Sequence, residues 1–168
     1  MSTEINVLFA GVKPEFVDSV RVYFHSNGIR GAVQTMKDLV NVENKLLDSF
    51  DVVVMDADAS SFDEINAIGY IKKNLDNPAF VLITNNMEKT NIREAVEDGA
   101  ADVIDKRNPD RLIPVIKREA EKIRLKREQV RAYNQILESE ARYRAVFERT
   151  GTAKCLFTSD GTIQMFNS

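Results

Sequence analysis

The sequence predicts an α/β fold: a doubly wound, five-stranded parallel sheet followed by a long C-terminal helix. Three observations predict it. Short apolar runs occur at 5–10 (INVLFA), 51–55 (DVVVM) and 80–84 (FVLIT), the signature of strands buried on both faces. Segments of helical period lie between these runs, and strands alternating with helices imply right-handed crossovers and a parallel sheet. From Leu112 onward a helical pattern continues without glycine to about Thr150, longer than most globular helices.

The elements follow in order. After the first strand, Phe16, Val17, Val20, Tyr23 and Phe24 share one helical face, and Asn27-Gly28 supplies a left-handed stop. Residues 31–36 give a second strand. Residues 38–49 give a second helix with Leu39, Val42, Leu46 and Leu47, and residues 63–74 a third with Ile65, Ile68 and Ile71. Residues 89–98 form a fourth helix that ends at Gly99, and ADVID at 101–105 is the fifth strand. Next comes Asn108-Pro109-Asp110. Asn108 can cap, Pro109 suits the first helical position, and Asp110 favours the positive end of the helix dipole.

The chain has 168 residues, 43% hydrophobic and 29% charged, enough for one ordinary domain with an extension. With 23 basic against 26 acidic residues, the charge asks for neither nucleic acid nor an anionic membrane as partner. The single cysteine, Cys155, excludes an internal disulfide framework and fits a reducing compartment, so a cytoplasmic location is expected. The start, MSTEINVLFAG, has no basic run before its apolar stretch. Nowhere do about 18 apolar residues follow one another, so neither a signal peptide nor a spanning helix is expected.

In a doubly wound sheet, ligands bind at the carboxyl ends of the strands near the switch in strand order. The residues just after the apolar runs are Gly11-Val12, Asp56, Thr84 and Lys106. One Asp, one Thr and one Lys at successive strand ends resemble the phosphoryl-acceptor site of the response-regulator receiver family, a receiver/flavodoxin-like fold, over about residues 5–124. The resemblance implies that Asp56 in DVVVMDAD attacks a phosphoryl donor. It further implies that Thr84 in FVLITNN bonds a phosphoryl oxygen and that Lys106 in GAADVIDKRN pairs with phosphate. Phosphoryl transfer is mostly positioning and charge neutralisation, and a nucleophile, a donor and a cation serve it.

The sequence departs from that family at three places. Gly11 and Val12 stand where the family places the acidic pair that holds magnesium, and neither offers the oxygen ligand that Mg²⁺ requires. The metal contribution therefore reduces to Asp56 and Asp58, with Mg²⁺ weakly bound or absent. Asp58 lies two residues beyond Asp56, where the family uses a backbone carbonyl, so it is not counted as a replacement ligand. Val103 stands at the position of the family's aromatic switch residue, and the loop ASSFDE lacks the usual proline and glycine. Phosphorylation is accordingly expected to be slow or absent. Plainer readings stay open: Asp56 as a helix-capping or turn carboxylate, Thr84 as a strand-end turn residue, Lys106 as a solvated lysine or an ion-pair partner of Asp56. His25 has no second ligand beside it and is read as a surface or packing residue.

The long helix needs a partner. With Ile113 as position a, the a sites are Ile113, Ala120, Arg127, Asn134 and Ala141, and the d sites are Ile116, Ile123, Val130 and Leu137. A polar a site such as Asn134 favours a two-stranded, in-register pairing, so a parallel homodimer through 111–150 is expected. The alternative is a charged helix lying against its own domain, or a flexible linker rich in Glu, Lys and Arg. Pro114 is expected to kink the first turns. Residues 138–168, ESEARYRAVFERTGTAKCLFTSDGTIQMFNS, resemble the opening of a PAS sensor domain: a helix, a strand at 153–158 with Cys155 buried, an Asp160-Gly161 turn, and a strand at 162–166. A complete PAS domain needs further strands, so the chain reads as cut off there.

The expected domains are 1–110 (receiver-like), 111–150 (helix, coiled coil) and 151–168 (start of a PAS domain). That order resembles the input part of multidomain sensor histidine kinases, although no kinase residues are present. The functional expectation is a two-component or phosphorelay signalling module that passes its state through a dimeric helix to PAS and output domains. A histidine kinase or phosphotransfer protein would be its partner. The alternative is a pseudo-receiver that only dimerises and docks partners. A third reading, a small α/β enzyme or nucleotide binder, lacks a glycine-rich phosphate loop, since GxGxxG and GxxxxGK are both absent.

Overall fold

The computed structural model describes residues 4–37, 49–59, 78–88, 92–97, 99–148 and 155–166. It divides into two compact units, Met1–Leu125 and Lys126–Ser168. In the first unit the elements are β1 (Val7–Ala10), α1 (Pro14–Ser26), β2 (Val33–Met36), β3 (Val52–Asp56), β4 (Ala79–Thr84), α2 (Ile92–Glu97) and β5 (Asp102–Asp105). A short 3-10 turn, Pro109–Arg111, then leads into α3 (Leu112–Glu148), which runs on into the second unit, where β6 (Cys155–Phe157) and β7 (Ile163–Phe166) follow. The helices expected over 38–49 and 63–74 lie outside the described residues, except for the end of the first.

All five strands of the first unit pair in parallel, in the order β2-β1-β3-β4-β5. This is the doubly wound α/β sheet that the apolar runs predict. The order reverses direction at β1, so the carboxyl ends of β1 and β3 flank the crevice where such sheets place their ligands. Strand side chains alternate between faces, and the core divides accordingly. Val7, Phe9, Val52, Val54, Val81, Ile83 and Ile104 pack with α1 and the start of α3 on one side. Leu8, Val53, Met55, Phe80, Leu82 and Val103 pack with Ala95 of α2 on the other.

Polar residues at the amino ends fix the strand register. Asp51 Oδ2 accepts from the Asn6 amide at 2.8 Å, and Asn6 Oδ1 accepts from the Ala32 amide at 2.9 Å, which ties β1 to both neighbours. Gly31 completes this edge. Its φ is +134°, and a Cβ there would lie 1.9 Å from the Ile5 carbonyl oxygen. Both the conformation and the backbone contact require glycine. Gly31→Ala is therefore expected to cost about 2 kcal/mol, measured by denaturant unfolding, through a lowered midpoint at unchanged slope.

The start of α3 belongs to the first unit. Leu112, Ile113, Val115, Ile116 and Ala120 are buried in the α1-side core, and Ile123 is buried as well. This corrects the heptad expectation: seam positions Ile113, Ile116, Ala120 and Ile123 are buried within the first unit and are unavailable to a second helix. The exposed part of the seam is Val130, Asn134, Leu137 and Ala141. Asn108 holds the cap position of the 3-10 turn without a side-chain cap bond. Pro114 does not interrupt the helix, because it lies in the first turn, where a missing N–H costs little.

In the second unit α3 is largely exposed and carries the i,i+4 pairs Arg142–Glu138 at 3.2 Å and Arg144–Glu140 at 3.1 Å. Such pairs support a helix by about 0.3 kcal/mol each. β6 and β7 form a two-stranded antiparallel sheet across a turn in which the Thr158 amide donates to the Thr162 carbonyl at 2.9 Å and Gly161 takes φ 85°. Cys155 is exposed rather than buried, since its strand pairs with β7 alone among the described strands. Among the described residues, no helix is long and apolar enough to cross a membrane.

Candidate functional site

The parallel register places the site residues. Asp56 is the last residue of β3, beside Ile83, and the Ala57 amide continues the ladder to the Ile83 carbonyl at 2.9 Å. Thr84 ends β4 beside Asp105, and the Lys106 amide donates to the Thr84 carbonyl at 2.9 Å. Three adjacent strands thus deliver a carboxylate, a hydroxyl and an ammonium to one edge.

There the side chains form one network. The Lys106 ammonium ion-pairs with Asp56 Oδ1 and also with Asp58 Oδ2 at 2.9 Å. Asp58 Oδ1 accepts from the Thr84 hydroxyl at 2.8 Å, and Asp58 Oδ2 accepts from the Asn85 amide at 2.6 Å. The Asn86 amide donates back to Thr84 Oγ1 at 3.0 Å, and the Asp58 amide donates to Asp56 Oδ1 at 2.9 Å. Thr84 is fully buried and Asp56 nearly so, whereas the Asp58 side chain is 31% exposed and forms the outer wall. Partial burial pushes the Asp58 carboxyl up, but hydrogen bonds from Lys106, the Asn85 amide and Thr84, with the Lys106 charge, outweigh it. Together they hold the carboxyl below the usual carboxylate range. Just outside, Arg107 side-chain and backbone donors hold the half-buried Asp105 carboxyl at about 2.

All the residues singled out at β3, β4 and β5 therefore meet, and Asp58, discounted as a metal ligand, accepts more of the site's donors than Asp56 does. The signal that could have found it was the Asp-x-Asp spacing at a strand end opposite a lone lysine, in a site without the acidic pair. The β1 end contributes no charge. Gly11 has φ 69°, its amide donates to the Met36 carbonyl at 2.9 Å, and Val12 packs against the core. The donor set does not fit Mg²⁺. Two carboxylates converge, both already engaged by the Lys106 ammonium, and among the described residues no group of three metal-ligating side chains forms. Val103 is buried in the second core layer, with no ring to rotate. His25 lies exposed in the last turn of α1, remote in sequence from the site residues.

A doubly wound α/β domain with an acidic residue at its switch-point crevice is a broad class, and the solved structures narrow it. The receiver-domain protein from Clostridium thermocellum is 18% identical, covers 72% of this chain and 98% of its own, and has a TM-score of 0.59. The receiver domain of NtrC4 from Aquifex aeolicus is 25% identical over 70% of this chain and 97% of its own, with a TM-score of 0.55. A pilus assembly-related protein from Burkholderia pseudomallei is 22% identical over 70% and 90%, with a TM-score of 0.56. No family model and no curated protein matches the sequence. The fold is that of response-regulator receiver domains.

Proposed function

We propose that the chain is a receiver-like signalling module of a two-component or phosphorelay system, with Asp56 as the phosphoryl acceptor and weakened metal-dependent chemistry. The observation that supports it is the meeting of Asp56, Thr84 and Lys106 at the carboxyl edge of three adjacent strands of a receiver-type fold. In this reading an Asp56 carboxylate oxygen forms the new P–O bond as the bond to the leaving group breaks. The Thr84 hydroxyl and the Lys106 ammonium hold the phosphoryl oxygens. Mg²⁺ is bound weakly or not at all, because the positions that would hold it are Gly11 and Val12. A histidine kinase or phosphotransfer protein is the donor.

In the same reading residues 1–110 receive the signal, the helix over 111–150 transmits it and dimerises beyond Leu125, and residues 151–168 open a PAS domain in a cytoplasmic sensor protein. Exposed Val130, Asn134 and Leu137 support the dimer, whose seam then starts beyond Leu125. The competing reading, a pseudo-receiver that only docks and dimerises, is favoured by the engagement of both carboxylates with Lys106.

The test is intact-mass spectrometry after incubation with acetyl phosphate and Mg²⁺. We expect a slow phosphoryl adduct on the native chain that disappears in Asp56→Ala. No adduct on the native chain at long times would support the docking module instead.

A further inference from the structure

We propose that Asp58 is a built-in occupant of an oxyanion cradle and must leave before a phosphoryl group or other small tetrahedral oxyanion can reach Asp56. The consequence for Asp56 rests on the acceptor reading above. The cradle itself rests on geometry alone.

Three donors from two strand ends converge on one carboxylate: the Thr84 hydroxyl at 2.8 Å, the Asn85 amide at 2.6 Å and the Lys106 ammonium at 2.9 Å. A hydroxyl, a backbone amide and an ammonium facing one point form a donor set for any oxyanion, since the edge of a carboxylate presents two oxygens much as a phosphoryl group does. Asp58 stands at the mouth of the site, 31% exposed, with Thr84 fully buried behind it. An incoming anion must take over the Thr84 hydroxyl bond that the Asp58 carboxylate now accepts. It also meets a like charge there, and the Lys106 ammonium is already shared with Asp56. Asp58 is held in place by its own amide, which donates to Asp56 Oδ1 at 2.9 Å, so it competes as a tethered ligand at high effective concentration. The site is then open in a minor fraction of molecules, and the apparent affinity for an external anion falls by that fraction. Removal of the Asp58 carboxylate takes away the oxygens that the Thr84 hydroxyl, the Asn85 amide and the Lys106 ammonium now share, while Lys106 keeps its pair with Asp56.

The test titrates inorganic phosphate into the ¹⁵N-labelled full chain and follows the Asn85 amide resonance in the native protein, Asp58→Ala, Asp58→Asn and Asp58→Ala/Lys106→Met. Near-isosteric Asp58→Asn removes the charge and keeps the fold if the alanine variant does not. We expect saturable Asn85 shifts in the single variants at phosphate concentrations at least ~10-fold below those needed by the native chain, and none in the double variant. Equal titrations in native and variant chains, or no shift in a folded single variant, would overturn the proposal. Acetyl phosphate labelling of the same variants separates the two readings. A variant that binds phosphate but takes no label on Asp56 rejects the acceptor reading and leaves the cradle standing. Faster labelling without an Asn85 response does the reverse.

Discussion

Lys106→Met lowers the stability of the folded chain by about 3 kcal/mol, a larger loss than most single substitutions produce. Methionine keeps the length of the stem, so the loss isolates the ammonium. The Lys106 side chain is 15% exposed and that of Asp56 7%, so removal of the cation strips a buried carboxylate of its ion pair and, among the described residues, leaves it the Asp58 amide as a donor. Asp58, nearer solvent, contributes less to the penalty. Lys106→Met/Asp56→Asn should recover more than half of the loss, since the amide carries no charge to strand. Urea unfolding of the four members of this cycle measures it. Additive losses would show that Lys106 and Asp56 are not coupled and would contradict the ion pair.

The second large effect divides the long helix. Ile116→Ala is expected to cost about 4 kcal/mol, because Ile116 is fully buried in the α1-side core and its removal leaves a cavity. The chemically identical Ile136→Ala, at a site 65% exposed, is expected to change the stability of the first unit by less than about 0.5 kcal/mol. Ile136 falls outside the proposed Val130–Asn134–Leu137 seam, so Ile136→Ala is expected to leave the sedimentation of the chain unchanged as well. Equal losses at both positions would mean that the outer helix is also part of the core.

The contrast between Ile116 and Ile136 shows where sequence reading reaches its limit. Heptad spacing places Ile113, Ile116, Ala120 and Ile123 in the same stripe as Val130 and Leu137. A stripe of period 3.5 or 3.6 fits a neighbouring sheet as well as a neighbouring helix. The strands were legible because DVVVM and FVLIT are short, β-branched and buried on both faces, and their carboxyl ends placed Asp56, Thr84 and Lys106 side by side. Asp58 was not legible as the central acceptor. The Asp-x-Asp spacing made it a candidate, but its position depends on how the turn after β3 returns the side chain over Thr84. The Asn6–Asp51 latch was also missed, although a polar residue at the start of each buried run was a visible signal. Gly31 carried no turn motif, and its need for glycine arises only from the approach of the Ile5 carbonyl.

The convergence of the strand-end donors on Asp58 is the central claim, and its most direct test is the pH titration of the Asn85 amide in the native chain. The Asp58 carboxyl is held below its ordinary value of 3.8. Its interactions therefore stabilise the fold fully above 3.8 and are lost as pH falls through the lower, folded-state value. The account predicts that the Asn85 amide resonance moves with a midpoint below 3.8 and that this step disappears in Asp58→Asn. A midpoint at or above 3.8, or a step that survives in Asp58→Asn, would contradict it.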